Sequence, residues 1–486
     1  MARSNYERLS ALDAAMVFME TEHTHMHVGE IGILEAAPLL AASGALDIER
    51  IRRHVAGGLD RIPRHRQRLA FIPVESHPVW VDDDRFNLEY HVRHSALPPP
   101  GSVRQLKLLV GRIMSQKLDL SKPLWEMWII EGLEGGRFAI VNKLHHCMVD
   151  GIAAVHALSA YLSPDPKAPS LRSSRRRPRP APGAIGLALG ELQRRAGAPL
   201  ALARSVAAGL ASPGETVQAI RDAGEGAMAA VLGKLWPASK TPLNVDEVGP
   251  HRRVDWVRFD LEEVKAVKSR LGGKVNDVVL ATVAGAVRRY LQMHHTAVDG
   301  LDFRVVVPIS RHPLEASTDL GNRVVPTLAP LPLHLGDPLQ RLHAVARTTE
   351  GLKSSKEVHA VELFEDISNW ADARLISELV RRVTRWWAGN LIVTNVPGPQ
   401  VPLYLLGARL LEGYPYVPMM ANQALGIALL SYDGGLYWGF NADWDAITDL
   451  ESLVQCFVDE FAELKKVAAI STTHAGSRSA KKRRQR

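Results

Sequence analysis

Cysteine and long apolar runs are scarce in this sequence. Only Cys147 and Cys456 occur among the 486 residues, which are too few and too far apart for a disulfide framework or a zinc ribbon. We therefore expect a reducing compartment. No apolar run reaches the roughly 18 to 20 residues that a membrane span needs, and the amino terminus lacks the basic-then-apolar order of a secretory signal. These absences predict a cytoplasmic protein that is soluble or peripheral to a membrane.

The excess of positive charge is confined to two short segments. The formal net charge is +7, yet five arginines stand between residues 172 and 179 and six basic residues between 478 and 486, with no acidic residue in either segment. Subtracting these eleven charges leaves about −4 for the rest of the chain. Basic clusters bind anionic lipid head groups or, nonspecifically, nucleic acid, and a solvated tail is the third interpretation. No specific nucleic-acid partner is expected.

The length of the chain predicts more than one domain. It exceeds the roughly 250 to 300 residues at which one hydrophobic core stops growing, and its 46% hydrophobic and 23% charged content is that of an ordinary globular protein. A Pro- and Arg-rich stretch over residues 163–183 favours an extended linker. We predict an amino-terminal lobe, a linker with a helical segment, a carboxy-terminal lobe and a disordered basic tail, over residues 1–163, 164–248, 249–470 and 471–486 respectively.

The hydrophobic pattern alternates between strand and helix periods. Ser10 and Asp13 predict a capped helix over residues 10–21. In the first half, the pattern predicts helices near 47–60 and 102–117 and strands at 26–34, 68–74, 86–92, 125–133 and 138–144. In the second half it predicts strands at 252–260, 303–310, 390–395, 425–432 and 436–441 and helices at 261–270, 275–291, 337–355, 373–386 and 449–467. Such mixing predicts an α/β fold of mixed-sheet α+β layers.

The most informative stretch is HHCMVDG, residues 145–151. The two histidines end a strand-like run, and a helical pattern opens directly after Asp150 and Gly151; such junctions are where α/β proteins hold catalytic groups. Histidine suits general base catalysis because it takes up and returns a proton near neutral pH. Neighbouring side chains in a strand point to opposite faces, so one histidine is expected to do the chemistry. Gly151 permits a tight turn that brings Asp150 under the loop.

Other interpretations of this stretch stay open from the residues alone. A His-His pair is often structural. His145, His146 and Asp150 are metal-ligand types, but adjacent histidines diverge and no HExxH or CxxC pattern accompanies them, so no metal site is predicted. Cys147 is a candidate thiol nucleophile, although so apolar a run favours a small buried side chain.

HHCMVDG is an instance of HHxxxDG and resembles the active-site signature of the CoA-dependent acyltransferase superfamily. Further stretches resemble elements of its bacterial wax ester synthase/diacylglycerol acyltransferase family, namely LSALDAAMVFMETEHTHMHVGEIGILE (9–35), KPLWEMWIIEGL (122–133), VNDVVLATVAGAVRRYL (275–291) and NVPGP (395–399). They span nearly the whole chain in the expected order. The resemblance implies a two-lobed, chloramphenicol acetyltransferase-like fold with an active-site channel between the lobes.

The resemblance also implies an activity and roles for the motif. The implied reaction moves a long-chain acyl group from acyl-CoA to diacylglycerol, to a long-chain fatty alcohol, or to both, which yields triacylglycerol or wax ester. His146 is implied to be the general base, with His145 as a supporting residue and Asp150 and Gly151 organising the loop. The expected partners are acyl-CoA and the acceptor lipid, no cofactor is expected, and we expect peripheral contact with the inner membrane or lipid inclusions.

Two of the resembling stretches contain candidate residues that have a structural alternative. Pro123, Leu124 and Trp125 are expected to pack beneath the channel rather than take part in the chemistry. Asn276 and Asp277 begin a long helical pattern. They are therefore either helix caps or, as the resemblance implies, residues that shape the site opposite His146.

Thr394 and Asn395 follow a strand-like run and precede a Pro-Gly-Pro turn. A rigid turn is able to hold their polar groups toward a reacting carbonyl, so both are candidate oxyanion donors. The family usually has serine where Thr394 stands, and a hydroxyl group is retained here.

Two other functions are compatible with the sequence. One is a condensation-type acyltransferase that uses a carrier-protein thioester, although the chain contains no carrier or adenylation module. The other is a noncatalytic protein that keeps the fold and coats a lipid surface. The second would bind membranes without releasing thiol from acyl-CoA.

Overall fold

The protein contains two six-stranded mixed sheets. The computed structural model describes residues 5–148, 160–173, 178–194, 238–310, 324–353, 389–420 and 422–483. Strands and helices are mixed along the chain, and each sheet has its own large apolar core. The predicted α/β class and the two-lobed architecture are confirmed.

The first half of the chain forms most of one six-stranded sheet, a smaller sheet and their covering helices. Its strands are β1 (Glu7–Arg8), β2 (His27–Glu35), β3 (Gln67–Phe71), β4 (Pro78–Asp82), β5 (Val92–Ala96), β6 (Trp125–Leu133) and β7 (Arg137–His145). Its helices are α1 (Ala11–Met19), α2 (Ile48–Gly58), α3 (Leu88–His91), α4 (Val103–Ser115) and α5 (184–194).

The second half supplies the other large sheet and longer helices. Its strands are β8 (Arg252–Asp260), β9 (Phe303–Ser310), β10 (Val324–Leu331), β11 (Leu391–Pro397), β12 (Tyr404–Leu405), β13 (Ala408–Tyr416), β14 (Leu425–Tyr432) and β15 (Gly435–Asp443). Its helices are α6 (Leu261–Leu271), α7 (Val275–Met293), α8 (Pro338–Lys353) and α9 (Leu450–Arg483).

Helix starts follow the local capping chemistry that the sequence predicts. The Ser10 hydroxyl accepts the Asp13 N–H at 3.1 Å and begins α1. At the start of α4, Ser102 and Gln105 form a reciprocal capping box, which satisfies two backbone N–H groups that have no partner within the helix. Both helices lie within the predicted ranges.

The order of strands corrects the predicted domain boundaries. The first sheet runs β12-β13-β2-β7-β6-β5, and the second runs β10-β9-β11-β14-β15-β8. Strands β12 and β13 therefore belong to the first sheet although they lie within the predicted lobe 249–470. β13 pairs with β2 in antiparallel register, with Gly413 opposite Gly32. Hydrophobic patterning is local, so it does not reveal a strand that crosses to the other lobe.

Two further predictions differ from the structure. Residues 86–92 are not a strand, because the Asn87 side chain accepts the Glu89 N–H and begins the single-turn helix α3, and the strand β5 starts only at Val92. Helix α9 continues to Arg483, whereas disorder was predicted from residue 471. No proline interrupts this segment, so nothing in it breaks the helix.

Some predicted segments lie outside the described residues. These are the helix at 373–386 and residues 195–236 of the helical segment predicted between the lobes. Within the described ranges, no helix is both long and apolar enough to cross a bilayer.

Candidate active site

The two histidines lie where a central strand of the first sheet ends. β7 finishes at His145, and His146 opens a short 3₁₀ turn that runs to Met148. The His145 N–H donates to Leu124 O at 2.9 Å, and the His146 N–H donates to Met26 O at 2.7 Å. The chain is therefore held on both sides at this point. The predicted strand-end position of the pair is confirmed.

The environment of His145 fixes its tautomer and keeps it neutral. The Cys147 N–H donates to Nδ1 of His145 at 3.1 Å, so the ring hydrogen must sit on Nε2. Complete burial is the main reason that the pKa of His145 is lowered to about 3, and His146 and Lys117 lower it further by repulsion. A sealed, neutral imidazole of this kind suits a supporting role. The His146 side chain is only half-buried.

Sequence reasoning missed a carboxylate beneath the pair. Glu20 follows α1, and its Oε1 atom lies 3.8 Å from His145 Nε2 and 3.7 Å from His27 Nε2. Its Oε2 atom lies 3.1 Å from Nζ of Lys117. The register of β2 and β7 places His27 directly opposite His145. The run ETEHTHMH at residues 20–27 was the available signal, since its histidines alternate with other residues as they do in a strand.

Burial dominates the electrostatics of this cluster. Desolvation raises the pKa of Glu20 against the opposing effect of Lys117. It lowers the pKa of His25 to about 4 and holds that of His27 well below its usual range. The cluster therefore contains neutral imidazoles around one carboxyl group, with the cation of Lys117 at its edge.

A second buried residue that the sequence analysis missed ties the strand to a helix. Lys143 is fully buried, and its ammonium donates to Ile113 O at 2.9 Å and to Gln116 O at the carboxyl end of α4. Burial is the main reason that its pKa is lowered to about 8. Carbonyl groups at a helix end favour a cation, so Lys143 anchors β7 two residues before His145.

The Pro123-Leu124-Trp125 segment supports the same strand end. Leu124 supplies the carbonyl that holds the His145 N–H, and Trp125 is buried with its ring 4.6 Å from that of His91. The Trp125 indole N–H donates to His65 O at 2.7 Å. Leu124 and Trp125 therefore pack into the core.

Asn276 and Asp277 lie in different environments. Asp277 is buried at the start of α7, where its Oδ2 accepts the Lys274 N–H at 2.7 Å and its Oδ1 accepts the Thr349 hydroxyl at 2.6 Å. These are contacts of a helix cap within the second lobe. Asn276 is half-buried.

Thr394 and Asn395 point to opposite faces of β11. Val396 packs against the first core, whereas Val393 belongs to the second core. Alternation along a strand therefore places Thr394 on the face toward the first lobe and Asn395 on the face away from it. Thr394 is half-buried and makes no side-chain hydrogen bond within the described ranges.

The second lobe reaches the histidine cluster through Arg252, the first residue of β8. Its guanidinium donates to His23 O in the chain between α1 and β2, and to Gly249 O at 2.6 Å. Its backbone N–H donates to the Ser115 hydroxyl at the end of α4 at 2.9 Å. The segment that carries Glu20 and His27 is thus fixed from both lobes, and the candidate site lies at their junction.

Three further residues of the motif, Cys147, Asp150 and Gly151, remain to be placed. Asp150 and Gly151 lie outside the described residues. Cys147 is buried, and desolvation raises its pKa well above the usual range; a thiol of this kind is a small apolar side chain rather than a nucleophile. Among the described residues, no group of three or more His, Cys, Asp or Glu side chains is arranged to hold a metal ion.

Comparison with known families gives matches over most of the chain. Residues 9–279 match the wax ester synthase/diacylglycerol acyltransferase catalytic domain, and residues 320–465 match the carboxy-terminal domain of the same family. A putative diacylglycerol O-acyltransferase of Mycobacterium tuberculosis is 32% identical over 471 residues, covering 94% of this chain and 90% of its own. A probable diacylglycerol O-acyltransferase of that organism, tgs1, is 32% identical over 473 residues, with 95% and 96% coverage.

Solved structures show the same fold. The wax ester synthase/diacylglycerol acyltransferase from Marinobacter aquaeolei VT8 is similar with a TM-score of 0.65 and 25% identity, over 95% of this chain and all of that one. The first condensation domain of the calcium-dependent antibiotic synthetase is similar in fold, with a TM-score of 0.60 and 16% identity over 96% of this chain and 97% of its own.

Proposed function

This chain belongs to the wax ester synthase/diacylglycerol acyltransferase family and is an acyltransferase, and from that premise we propose that His146 is its general base. Acyl transfer to an alcohol needs a basic imidazole that is able to meet the substrate. The observation that carries the proposal is the contrast between the two histidines. His145 is sealed, neutral and bonded through Nδ1, whereas His146 is half-buried at the junction of the lobes.

The proposed reaction is a direct transfer. The acceptor oxygen attacks the thioester carbonyl while Nε2 or Nδ1 of His146 takes the hydroxyl proton. The tetrahedral intermediate then collapses, the carbon–sulfur bond breaks, and the imidazolium returns its proton to the CoA thiolate. Thr394 lies on the β11 face that looks toward the first lobe, so its hydroxyl is the candidate donor to the oxyanion.

An acyl-enzyme intermediate is not part of this proposal. Cys147 adjoins the base in sequence, but its thiol is buried and its pKa is raised well above the usual range. Thiolate, rather than thiol, is the effective nucleophile. The thioester is already activated for transfer, so the proposed route needs no cofactor.

We propose a long-chain acyl-CoA as donor and diacylglycerol, a long-chain fatty alcohol, or both as acceptors. The test is release of free thiol from palmitoyl-CoA in the presence of diacylglycerol, hexadecanol or no acceptor, with product identified by chromatography. We expect release that depends on an acceptor and yields triacylglycerol or wax ester. Thiol release only from a carrier-protein thioester would identify the condensation-type alternative, and no release with either donor would identify a noncatalytic lipid-binding protein.

We also propose that α5 contacts an anionic lipid surface. Leu187 of this helix packs on the small sheet with Ile72, whereas Ile185, Leu189 and Leu192 are 78%, 54% and 65% exposed. Spacings of four and three residues put these three side chains on one helix face. The five arginines between residues 172 and 179 directly precede the helix, and such clusters are attracted to anionic head groups.

Vesicle sedimentation tests this surface. Replacing Ile185, Leu189 and Leu192 together by serine should reduce binding to phosphatidylglycerol-containing vesicles, while turnover of a water-soluble short-chain substrate pair stays unchanged. Leu108→Ser, at another exposed apolar position, is the matched control and should bind as the parent protein does. Equal binding by the triple variant would reject α5 as the contact.

A further inference from the structure

Glu20 makes contacts that lead to both histidines of the motif. Its Oε1 atom lies 3.8 Å from Nε2 of His145, the ring nitrogen that carries the hydrogen because Nδ1 accepts the Cys147 N–H. The same oxygen accepts the Met26 N–H at 3.4 Å. The carbonyl group of the same residue leads to His146, whose N–H donates to Met26 O at 2.7 Å.

We propose that Glu20 is a positioning residue for the transfer reaction: its carboxylate holds the His145 ring and, through Met26, the main chain of His146. This proposal rests on His146 being the base. Glu20 touches neither substrate in this account. Its effect is to fix the position from which the His146 imidazole meets the acceptor hydroxyl, and a misplacement of 1 Å at such a group costs about 100-fold in rate.

The burial of the cluster supports a role for Glu20 in positioning the histidines. His145 Nε2 is a buried donor with no partner at hydrogen-bond distance among the described residues, and Glu20 Oε1 is the acceptor that stands in front of it. Buried polar groups in native proteins are nearly always bonded. Catalytic hydrogen bonds are often long in the free enzyme and shorten when substrate binds. If the Glu20–His145 contact shortens, the 3₁₀ turn that follows His145 would move together with His146.

Two cations oppose the rise in the pKa of Glu20 that its burial causes. Lys117 lies 3.1 Å from Oε2 and is 40% exposed, so it supplies a cation from the solvent side. Lys143 acts on the carboxyl group from the strand at longer range, whereas the neutral His27 accepts the Leu118 N–H through the nitrogen that lies 3.7 Å from Oε1. Glutamine at position 20 would keep the shape and an oxygen for the Met26 N–H, but would remove the negative charge that attracts the His145 Nε2–H group.

The first test compares Glu20→Gln with Glu22→Gln, an exposed glutamate two residues away. We expect Glu20→Gln to lower kcat by about 10- to 100-fold with little change in KM for either substrate, because the base is misplaced and the binding surfaces are intact. Its melting temperature should stay close to that of the parent protein. Glu22→Gln should match the parent protein in both measurements. An unchanged kcat in a folded Glu20→Gln enzyme would overturn the proposal.

A second variant keeps the test decisive if Glu20→Gln fails to fold. In His145→Asn the amide oxygen replaces Nδ1 as acceptor for the Cys147 N–H, while the Nε2–H group is removed. We expect the same loss of kcat as for Glu20→Gln. The double variant should lose no more than either single variant, because both changes interrupt one contact. Full kcat in His145→Asn, or losses that multiply in the double variant, contradicts the proposal.

His146→Ala separates this proposal from the assignment of the base. If His146→Ala keeps its turnover, the base assignment fails whatever Glu20 does. If His146→Ala is inactive while Glu20→Gln and His145→Asn retain full kcat, the base stands and only the positioning role of Glu20 is wrong.

Discussion

Two buried carboxyl groups of this protein have different surroundings. Glu460 of α9 is buried against the guanidinium of Arg341, and Arg289 lies 3.4 Å from its other oxygen. Arg341 is itself 2% exposed and also donates to Leu335 O at 2.6 Å. Glu20 has one well-placed cation and two imidazoles beyond normal hydrogen-bond distance, which are His27 and His145.

The difference separates a structural pair from a functional cluster. Glu460 joins α9 to α7 and α8 with a matched cation for its charge, which is how a buried charge is tolerated in a core. Within the described ranges both clusters leave buried nitrogens without hydrogen-bond partners, namely Nε of Arg289 and Arg341 around Glu460 and ring nitrogens of His25, His27 and His145 around Glu20. Only the Glu20 cluster includes a histidine of the motif, where hydrogen bonds are expected to change during proton transfer.

Acidification should have the largest effect, because the described histidines whose pKa burial lowers all lie in the first part of the chain. Within the described ranges they are seven: His25, His27, His54, His65, His77, His91 and His145. Below about pH 6.5 the unfolded chain binds protons that the folded one does not, so stability falls as pH falls.

The size of this effect is set by several opposing groups. Each such histidine removes up to about 1.4 kcal/mol per pH unit. The raised pKa values of Glu20, Glu30 and Glu460 offset part of the loss. We expect a net loss of several kcal/mol in the free energy of unfolding between pH 7.5 and 5.5, measured by urea titration, with hydrogen exchange rising first in β2 and β7. Equal stability at the two pH values would show that the histidines are not held neutral.

Glu460→Ala should produce the next largest effect, which is confined to the stability of the fold. Removing the carboxylate leaves Arg341 buried without its partner, which costs about 3–5 kcal/mol in the free energy of unfolding. We expect kcat per folded molecule to remain that of the parent protein, in contrast to Glu20→Gln. Glu463→Ala, which loses only an ion pair with the exposed Lys466, is the control and should melt with the parent protein. A kcat loss in Glu460→Ala would remove the distinction between the two carboxyl groups.

Glu30→Gln should give the smallest effect, which is a weaker decline in stability as pH rises. Glu30 is buried on β2, and desolvation raises its pKa to about 8 from 4.5. Between those values the folded protein keeps a proton that the unfolded chain has lost, so stability declines as pH rises toward 8. Glu30→Gln should remove up to about 1.4 kcal/mol of that decline per pH unit, measured by urea titration at pH 6 and 8. A variant whose stability declines between pH 6 and 8 as much as that of the parent protein contradicts this.

Much of the fold was predictable because it depends on local chemistry. Ser10 and Ser102 cap their helices through side chains only a few residues from the partners, and alternating runs mark β2, β6 and β7. The place of β13 in the first sheet was missed because its partner β2 lies hundreds of residues earlier, and β12 joins that sheet only through β13. The Asn87 cap overrode the strand-like pattern of residues 86–92.

Of the candidate site, only the residues of the histidine motif were predictable from the sequence. The position of His145 and His146 at a strand end follows from an apolar run and a turn signal. Glu20 lies 125 positions before His145, and only the pairing of β2 with β7 brings it beneath the ring. Sequence alone also treats Thr394 and Asn395 alike. They separate once the neighbours Val393 and Val396 are known to pack into different cores.

The central claim is that the His146 imidazole removes the acceptor proton. Its most direct test is kcat of folded His146→Ala with palmitoyl-CoA and the preferred acceptor, both saturating. If His146 is the general base, kcat falls at least about 100-fold while the melting temperature stays near that of the parent protein. Turnover within a few-fold of the parent enzyme would contradict it.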